Sequence, residues 1–430
     1  MHFNHDGYEN AVLGNRARGN PRGGPPARDA LTMYSRGGLA ARIVDLPADL
    51  SVSKGVQVLV DEQPLQAVAD ELDRLAASAA LANALRWALL EGGACIVLLT
   101  DDGANMAAPL LADNLQSIRE LKVYDRLSVT GVVRRYSDDR DPNYGQPEIY
   151  GIRAQAPFGM TSFHVHETRL IPIPGGPLPN ALDTDQVPWI GRSEVGAAYA
   201  TLRRYQSSLY WADRLLERKQ QPVYRMKGLA EAIEQGMESQ VQQRINMVDT
   251  ARGILNTVAI DAEDDYTVSS LDLGGVKDVM GEFQIALSAD TGQPVSVLFG
   301  RSPAGMNATG ESDFQVLDDL VKGYQSSRLN AAAERLVALI FAQKSFKDPP
   351  QSWTVHWPPL RTPTSKQVAE TRKATAEALK IEMESLGAAM DAGVSEDEAR
   401  AYLIERGMYG LDKPDDAGGR SAAAAYAAQT

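Results

Sequence analysis

At 430 residues, 44% hydrophobic and 7% aromatic, the chain is long enough for two or three domains, and much of its apolar content is alanine. Its formal charge of −13 excludes a protein that grips nucleic acid through a general surplus of Lys and Arg. The single Cys95 excludes an intrachain disulfide framework, and no run of about 18 apolar residues is present to span a bilayer. The first residues, MHFNHDGYEN, have neither the basic nor the apolar segment of a secretory signal, so synthesis and folding in a reducing cytoplasm are expected.

Residues 1–37 are rich in Gly, Pro, Asn and Arg, as in NRARGNPRGGPPAR, and such a segment buries too little apolar surface to offset its ordering entropy. Its arginines, Arg16, Arg18, Arg22, Arg28 and Arg36, leave two readings open: contact with nucleic acid, or a flexible arm laid on a neighbouring subunit. Residues 38–49 read as a short helix stopped by Pro47, and helices are predicted over 65–77 and 80–90 from apolar spacing. Gly92 and Gly93 end the second helix, and ACIVLLTDDG reads as a buried strand with its turn. Strand-like runs recur at KVYDRLSVT, VVRRYS, PEIYGI and FHVHETRLIPIPG, a mixed α/β region closing at PIPGGPLPN.

From Ser193 the pattern turns helical. Val195, Tyr199, Leu202, Tyr205 (or Gln206), Leu209, Ala212 and Leu216 fall at steps of three and four on one face, with Arg203, Arg204, Arg214 and Arg218 opposite. Residues 194–219 would extend about 39 Å as a helix before Gln221-Pro222 ends it. A helix over 231–248 follows, then GILNTVAID and YTVSSLDL read as a β-hairpin around an acidic turn at 262–265. A further helix over 276–289 carries Val276, Val279, Phe283 and Leu287 at helical spacing. A glycine-punctuated loop, Gly300 to Gly310, then feeds a long helix with no stop signal before Lys344. After Pro358-Pro359, Thr364 with Gln367 and Ser395 with Glu398 form two capping boxes, while Gly393 and Gly407 mark helix ends. A helical hairpin over 365–406 is expected, with residues 412–430 frayed.

Sites of chemistry are few. The loop before the long helix places Glu311 after Gly310, where a Walker A loop requires Lys, and an acid there opposes phosphate. His164 and His166 with Glu167 resemble an H-x-H metal pair, yet zinc needs three or four ligands and the chain has only five histidines. Asp261, Glu263, Asp265 and Asp272 mimic a calcium loop, but Tyr266 stands where that loop needs glycine. No G-x-S-x-G or other nucleophile–base signature occurs. The residues lead to no catalytic, cofactor or metal site.

The words SPAGMNATGESD (residues 302–313), followed by the long helix to Phe341, resemble the tunnel loop and tunnel helix of tailed-bacteriophage portal proteins. The order of segments across residues 38–405 is similar to that family too. The resemblance implies an α+β, helix-rich, multi-domain portal fold with a mixed α/β wing, helical stem, small α/β clip and helical crown. Its expected parts are a flexible N-terminal arm (1–37), wing (38–190), first stem helix (191–220), clip (221–275), second stem helix (276–292), tunnel loop (293–310), tunnel helix and wing return (311–363), crown (364–411) and disordered tail (412–430).

The resemblance also implies a dodecameric ring at one capsid vertex of the virion, admitting and releasing double-stranded DNA. Its partners would be the terminase large subunit, a head–tail adaptor, and the major capsid and scaffolding proteins, with no cofactor and no membrane. Gln293, Arg301, Ser302, Asn307 and Thr309 would line the loop nearest DNA, and Glu311, Asp313, Phe314, Leu317, Val321 and Tyr324 the tunnel helix. Stem faces with Leu202, Leu209, Phe283 and Leu287 would pack between subunits, while Arg203, Arg204, Arg214 and Arg218 would meet DNA or neighbouring acids. Asp261, Glu263, Asp264 and Asp265 would form the clip's partner surface. The alternatives are a neck or vertex adaptor without a DNA-translocating channel, and a nucleotide-dependent enzyme.

Overall fold

The computed structural model describes residues 27–61, 63–156, 159–178, 187–219, 222–225, 229–255, 265–268, 275–300, 310–346, 349–361, 365–391 and 395. The chain divides into two compact units, residues 1–360 and 361–430. It is a mixed helical and sheet protein whose sheets are small and antiparallel.

Helices α1 (Ala27–Ser35) and α2 (Leu39–Val52) open the described chain. The stop expected at Pro47 does not occur, because Ile43, Val44, Pro47 and Ala48 form a buried face that holds the turn together. Strands β1 (Gln57–Val60) and β2 (Gln63–Pro64) lead to α3 (Gln66–Arg74) and α4 (Ala77–Glu91), the two helices predicted from apolar spacing. Gly92 ends α4 in the left-handed conformation, φ 83°, and β3 (Gly93–Asp101) begins at once. Alternate side chains of β3 enter two different cores: Ala94, Ile96 and Leu98 join α4, while Cys95 and Val97 meet Tyr150, Val165 and Trp189. Covering on both faces is why this strand reads as an unbroken apolar run.

Strand β4 (Ser117–Asp125) is followed by a 3₁₀ turn, fixed where the Ser128 N–H donates to Asp125 at 2.6 Å, so the run KVYDRLSVT is not one strand. Strands β5 (Val129–Arg135), β6 (Pro147–Ala156) and β7 (Gly159–His166) form an antiparallel meander. Strand β8 (Leu170–Pro174) returns to complete the order β4–β3–β8. Arg169, fully buried, donates to Thr100 at 2.6 Å, to both Asp102 oxygens at 3.1 and 2.5 Å, and to the carbonyls of Ala108 and Pro109 at 2.9 and 3.2 Å. Burial alone would raise the Asp102 carboxyl; Arg169 and the Leu111 N–H outweigh it and hold the carboxyl below the usual aspartate range.

Helix α5 (Glu194–Lys219) has the extent its three-four spacing predicted. Its start is joined to the end of α4 by Ser193, whose hydroxyl donates to the Leu90 carbonyl at 2.6 Å and accepts from the Gly196 N–H at 2.8 Å. Beside it the Gly191 N–H donates to Gly92 O at 2.7 Å, and a Cβ on Gly175 would lie 2.1 Å from that same oxygen, so only glycine fits there. Strand β9 (Pro222–Arg225), helices α6 (Leu229–Glu234) and α7 (Glu238–Leu255), and strand β10 (Asp265–Val268) follow. Most of the hairpin expected between GILNTVAID and YTVSSLDL, residues 256–264 and 269–273, lies outside the described residues. Its residues 253–255 end α7, and β10 pairs with β9, Tyr266 opposite Tyr224.

Next come α8 (Val276–Thr291), α9 (Val295–Phe299) and α10 (Glu311–Tyr324). The single long helix predicted from residue 311 is interrupted by a π-helical turn (Gln325–Leu329) before α11 (Asn330–Phe341). Strand β11 (Thr354–His356) pairs with β1, Gln57 opposite His356, and so ties the end of this unit to its beginning. In the second unit α12 (Ser365–Asp391) starts right after Thr364 of the expected capping box. Its Ile381 and Met383 are exposed. Residues 1–26 of the expected arm, the second crown helix and the tail lie outside the described residues, Ser395 apart.

Glu91, buried at the end of α4, has its carboxyl pushed up to about 7 by burial and by the charge of Asp125, against the pull of Arg126. The folded chain then keeps a proton that the unfolded chain has already released, so stability falls as pH rises from about 4.3 to about 7 and levels above it. Glu91→Gln is expected to flatten that slope and to raise Tm most at pH values above about 7. Thermal melts across this window check it; a slope unchanged by the substitution would contradict the assignment.

Candidate functional site

The segment singled out by sequence runs from the end of α8 to α11. Gly292 ends α8 in the left-handed conformation and Pro294 starts α9, which in turn ends at Gly300. Gly310, φ 70°, starts α10, and the acids Glu311 and Asp313 occupy its first turn, where the helix dipole favours negative charge. Arg301, Ser302, Asn307 and Thr309 lie outside the described residues.

Gln293, expected on the loop, is 1% exposed and belongs to the core. Its Nε2 donates to the Ile43 carbonyl of α2 at 2.8 Å, while its own carbonyl accepts from Ser288 Oγ at 2.7 Å. Arg42 of α2 answers with Nε and Nη2 on the Val297 carbonyl of α9, at 3.0 and 2.7 Å. The Ser296 hydroxyl donates to the Asp313 carboxylate, linking α9 to α10.

Along α10, Leu317, Val321 and Tyr324 are buried, whereas Phe314 is 44% exposed. The π turn carries two buried polar side chains that sequence reasoning passed over. Gln325 Nε2 donates to the Ser51 carbonyl of α2 at 2.8 Å, and Arg328 Nη2 donates to Glu194 of α5 at 2.6 Å. The Arg328 guanidinium also stacks 4.8 Å from the Tyr324 ring centroid. Burial first, then the Glu194 charge, pushes the Tyr324 hydroxyl up to about 12. A signal was present: Gln325 and Arg328 occupy the apolar stripe of their helix, where a polar residue must find a partner.

Helices α5 and α8 pack against each other. Leu202 and Leu287 are fully buried inside the chain and so pack within one subunit, while Phe283 is partly buried against the same core. Tyr205 stacks edge-on against Phe299 at 5.5 Å and accepts from Gln284 at 3.4 Å. Farther along α5, Leu209, Tyr210, Trp211 and Leu216 are exposed, as are Val279 and Ile285 on α8. Of the stem arginines, Arg203 is half-buried, Arg204 is exposed, and exposed Arg214 stacks on Tyr210 with Nε 3.3 Å from its hydroxyl. Arg218 lies on α5 with its side chain outside the described residues; Asp261, Glu263 and Asp264 lie outside the described residues altogether, and Asp265 starts β10 opposite Arg225.

The metal reading of HVHE fares poorly on geometry. His164 is exposed, while His166 is buried with Nδ1 2.9 Å from Thr168 Oγ1 and Nε2 3.9 Å from Glu148. Burial, more than any other influence, holds the His166 imidazole below its ordinary pKa. Among the described residues no group of three or more His, Cys, Asp or Glu is arranged to hold a metal ion.

A sequence profile of the family described as phage portal protein matches residues 28–381. An uncharacterized protein of Haemophilus influenzae (strain ATCC 51907 / DSM 11121 / KW20 / Rd) is 28% identical over 68% of this chain and 64% of its own length. The anti-CBASS protein Acb1 of Caulobacter sp. (strain RHG1) is 24% identical over 68% of this chain and 48% of its own length. Its namesake from Sphingomonas paeninsulae is 23% identical over 88% and 61%. The chain thus spans between about half and two thirds of the length of these relatives. Among solved structures, a chain in the neck of an empty GTA (gene transfer agent) particle, computed with C6 symmetry, aligns over 89% of this chain and 94% of its own, with TM-score 0.51 and 17% identity. A chain in the neck of the native particle, computed with C12 symmetry, aligns over 88% and 94% with the same score and identity. These likenesses are likenesses of fold.

Replacing Arg328 by Met would leave buried Glu194 with Arg192 at 3.8 Å as its remaining cation, and is expected to cost about 3 kcal/mol. Adding Glu194→Gln should recover part of that loss. A denaturant double-mutant cycle measures the coupling, and additive penalties would show that the pair is not coupled.

Proposed function

The chain belongs to the phage portal protein family, and on that premise we propose that it is the subunit of a dodecameric ring at one capsid vertex. The ring would pass double-stranded DNA during packaging and ejection. The observation that carries this reading is the uncovered apolar surface on the paired helices α5 and α8. Leu209, Trp211, Leu216 and Ile285 stand 47–58% exposed in a single chain, a surface that a second copy would cover. In this reading α5 and α8 are the stem, residues 221–275 the clip, residues 38–190 with 311–363 the wing, and residues 364–411 the crown.

Residues 301–309 would lie nearest the DNA and α10 with α11 would carry their position into the wing. The clip, with Asp261, Glu263, Asp264 and Asp265, would dock the terminase large subunit and later a head–tail adaptor. The wing and crown would meet the major capsid and scaffolding proteins. Net charge of −13 suits sliding: a polyanion meets few binding minima, and screening over about 8 Å keeps the repulsion local. The protein would be made in the host cytoplasm, reside in the virion and hydrolyse nothing, since ATP hydrolysis belongs to the separate motor. The anti-CBASS activity named for two longer relatives stays with them.

Electron microscopy of the purified protein is expected to show rings with a central hole, which a channel-less adaptor would not form with wing and crown profile. Leu209→Glu with Ile285→Glu should shift the protein to monomers in size-exclusion chromatography while leaving its helical circular dichroism intact. A wild-type chain that stays monomeric at every concentration, even beside its capsid and scaffold partners, would overturn the proposal.

A further inference from the structure

Pro47 lies on the buried side of α2 and has no N–H to give, so the Ile43 carbonyl one turn earlier receives no helical donor. Ile43 is 2% exposed, which leaves water no access to make up the loss. Gln293 supplies the missing donor from a position 250 residues away, at 2.8 Å. Pro47 therefore creates a socket and Gln293 is its plug. The contact is reciprocal, because Arg42, next to Ile43, holds the Val297 carbonyl through two nitrogens. At the other end of α2 the Ser51 carbonyl, one of those a helix terminus leaves open, takes Gln325. Segments on both sides of residues 301–309 are thus fastened to the same helix, and Ser296 with Asp313 fastens them to each other.

We propose that α2 is a seat setting the register of the two helical stretches that bracket residues 301–309, and that Gln293 and Arg42 are positioning residues for DNA passage. The proposal rests on the portal reading above. Apolar contact along α2 would fix the distance between these helices but tolerate sliding. Directional hydrogen bonds to three separate carbonyls fix the register as well.

Wild type, Pro47→Ala, Gln293→Leu and the paired variant provide the test. Gln293→Leu strands the Ile43 carbonyl and is expected to lower Tm by several degrees. Pro47→Ala restores a helical N–H to a carbonyl that has two lone pairs, and should leave Tm unchanged or raise it. In the Pro47→Ala background Gln293→Leu should cost clearly less than in wild type. Equal penalties in the two backgrounds would refute the socket.

The second arm builds each variant into particles and reads ring incorporation by electron microscopy and nuclease-protected DNA per particle. The paired variant, and more so the pair with Arg42→Leu, is expected to form rings as wild type does yet protect severalfold less DNA. Wild-type DNA content in both would reduce the seat to ordinary packing and overturn the positioning role. Particles that hold no DNA even with the wild-type chain would count against the portal reading itself, a result separable from the stability cycle.

Discussion

A buried carbonyl or charge without a partner costs about 1–3 kcal/mol, more for an ion, and this constraint organises the half of the fold that matters here. The Ile43 carbonyl needs Gln293, the Ser51 carbonyl needs Gln325, and Glu194 needs Arg328. Each pairing joins a helix to a segment far away in the chain. Together they bind α2, α5, α8, α9 and the π turn into one frame around the ends of residues 301–309. Hydrophobic burial supplies the larger share of stability, but it is non-directional. The polar pairs decide which of many compact arrangements is adopted.

The π turn follows from how that frame meets the apolar face of the long helix. Buried residues recur every four positions along Tyr324, Arg328, Ala332, Leu336 and Ile340, and again along Gln325, Leu329, Ala333, Val337 and Phe341. An α-helix turns once in 3.6 residues, so a strict repeat of four drifts by about 40° at each step. One wider turn absorbs most of that drift and keeps both rows facing inward. The interruption also brings Gln325 and Arg328 into the core, where both find acceptors. A local departure from ideal helix geometry and two long-range contacts are therefore one solution to one packing problem.

Charge distribution bears on the proposed channel. Several of the ionic groups near the candidate segment already have partners: Asp313 accepts from Ser296, Arg42 is spent on a carbonyl and Arg214 lies over Tyr210. A chain with formal net charge −13 offers a passing polyanion little overall attraction. A conduit requires weak, non-directional contact, whereas a clamp requires paired phosphates, and the sequence composition favours the former. The exposed aliphatic and aromatic side chains of α5 and α8 complement this picture, since closing a ring would cover them while leaving the polar faces available.

Much was legible in the sequence where local geometry alone sets the pattern. The three-four spacing from Val195 to Leu216 marked α5 to its ends, the continuous apolar run marked β3, and SPAGMNATGESD marked the family that the profile match shows. These signals depend on neighbours in the chain, because helical and strand periods arise from backbone geometry a few residues at a time. Tertiary structure alone decided the rest. Pro47 stays inside a helix on a buried face while the Ile43 carbonyl takes its donor from residue 293; β10 pairs with β9; Leu202 and Leu287 are buried in the same core of one chain. Gln293 moved from an expected loop to the core for the same reason. The identity of a polar partner hundreds of residues away leaves no period in the sequence, and it emerges only when packing brings the two groups together and excludes water.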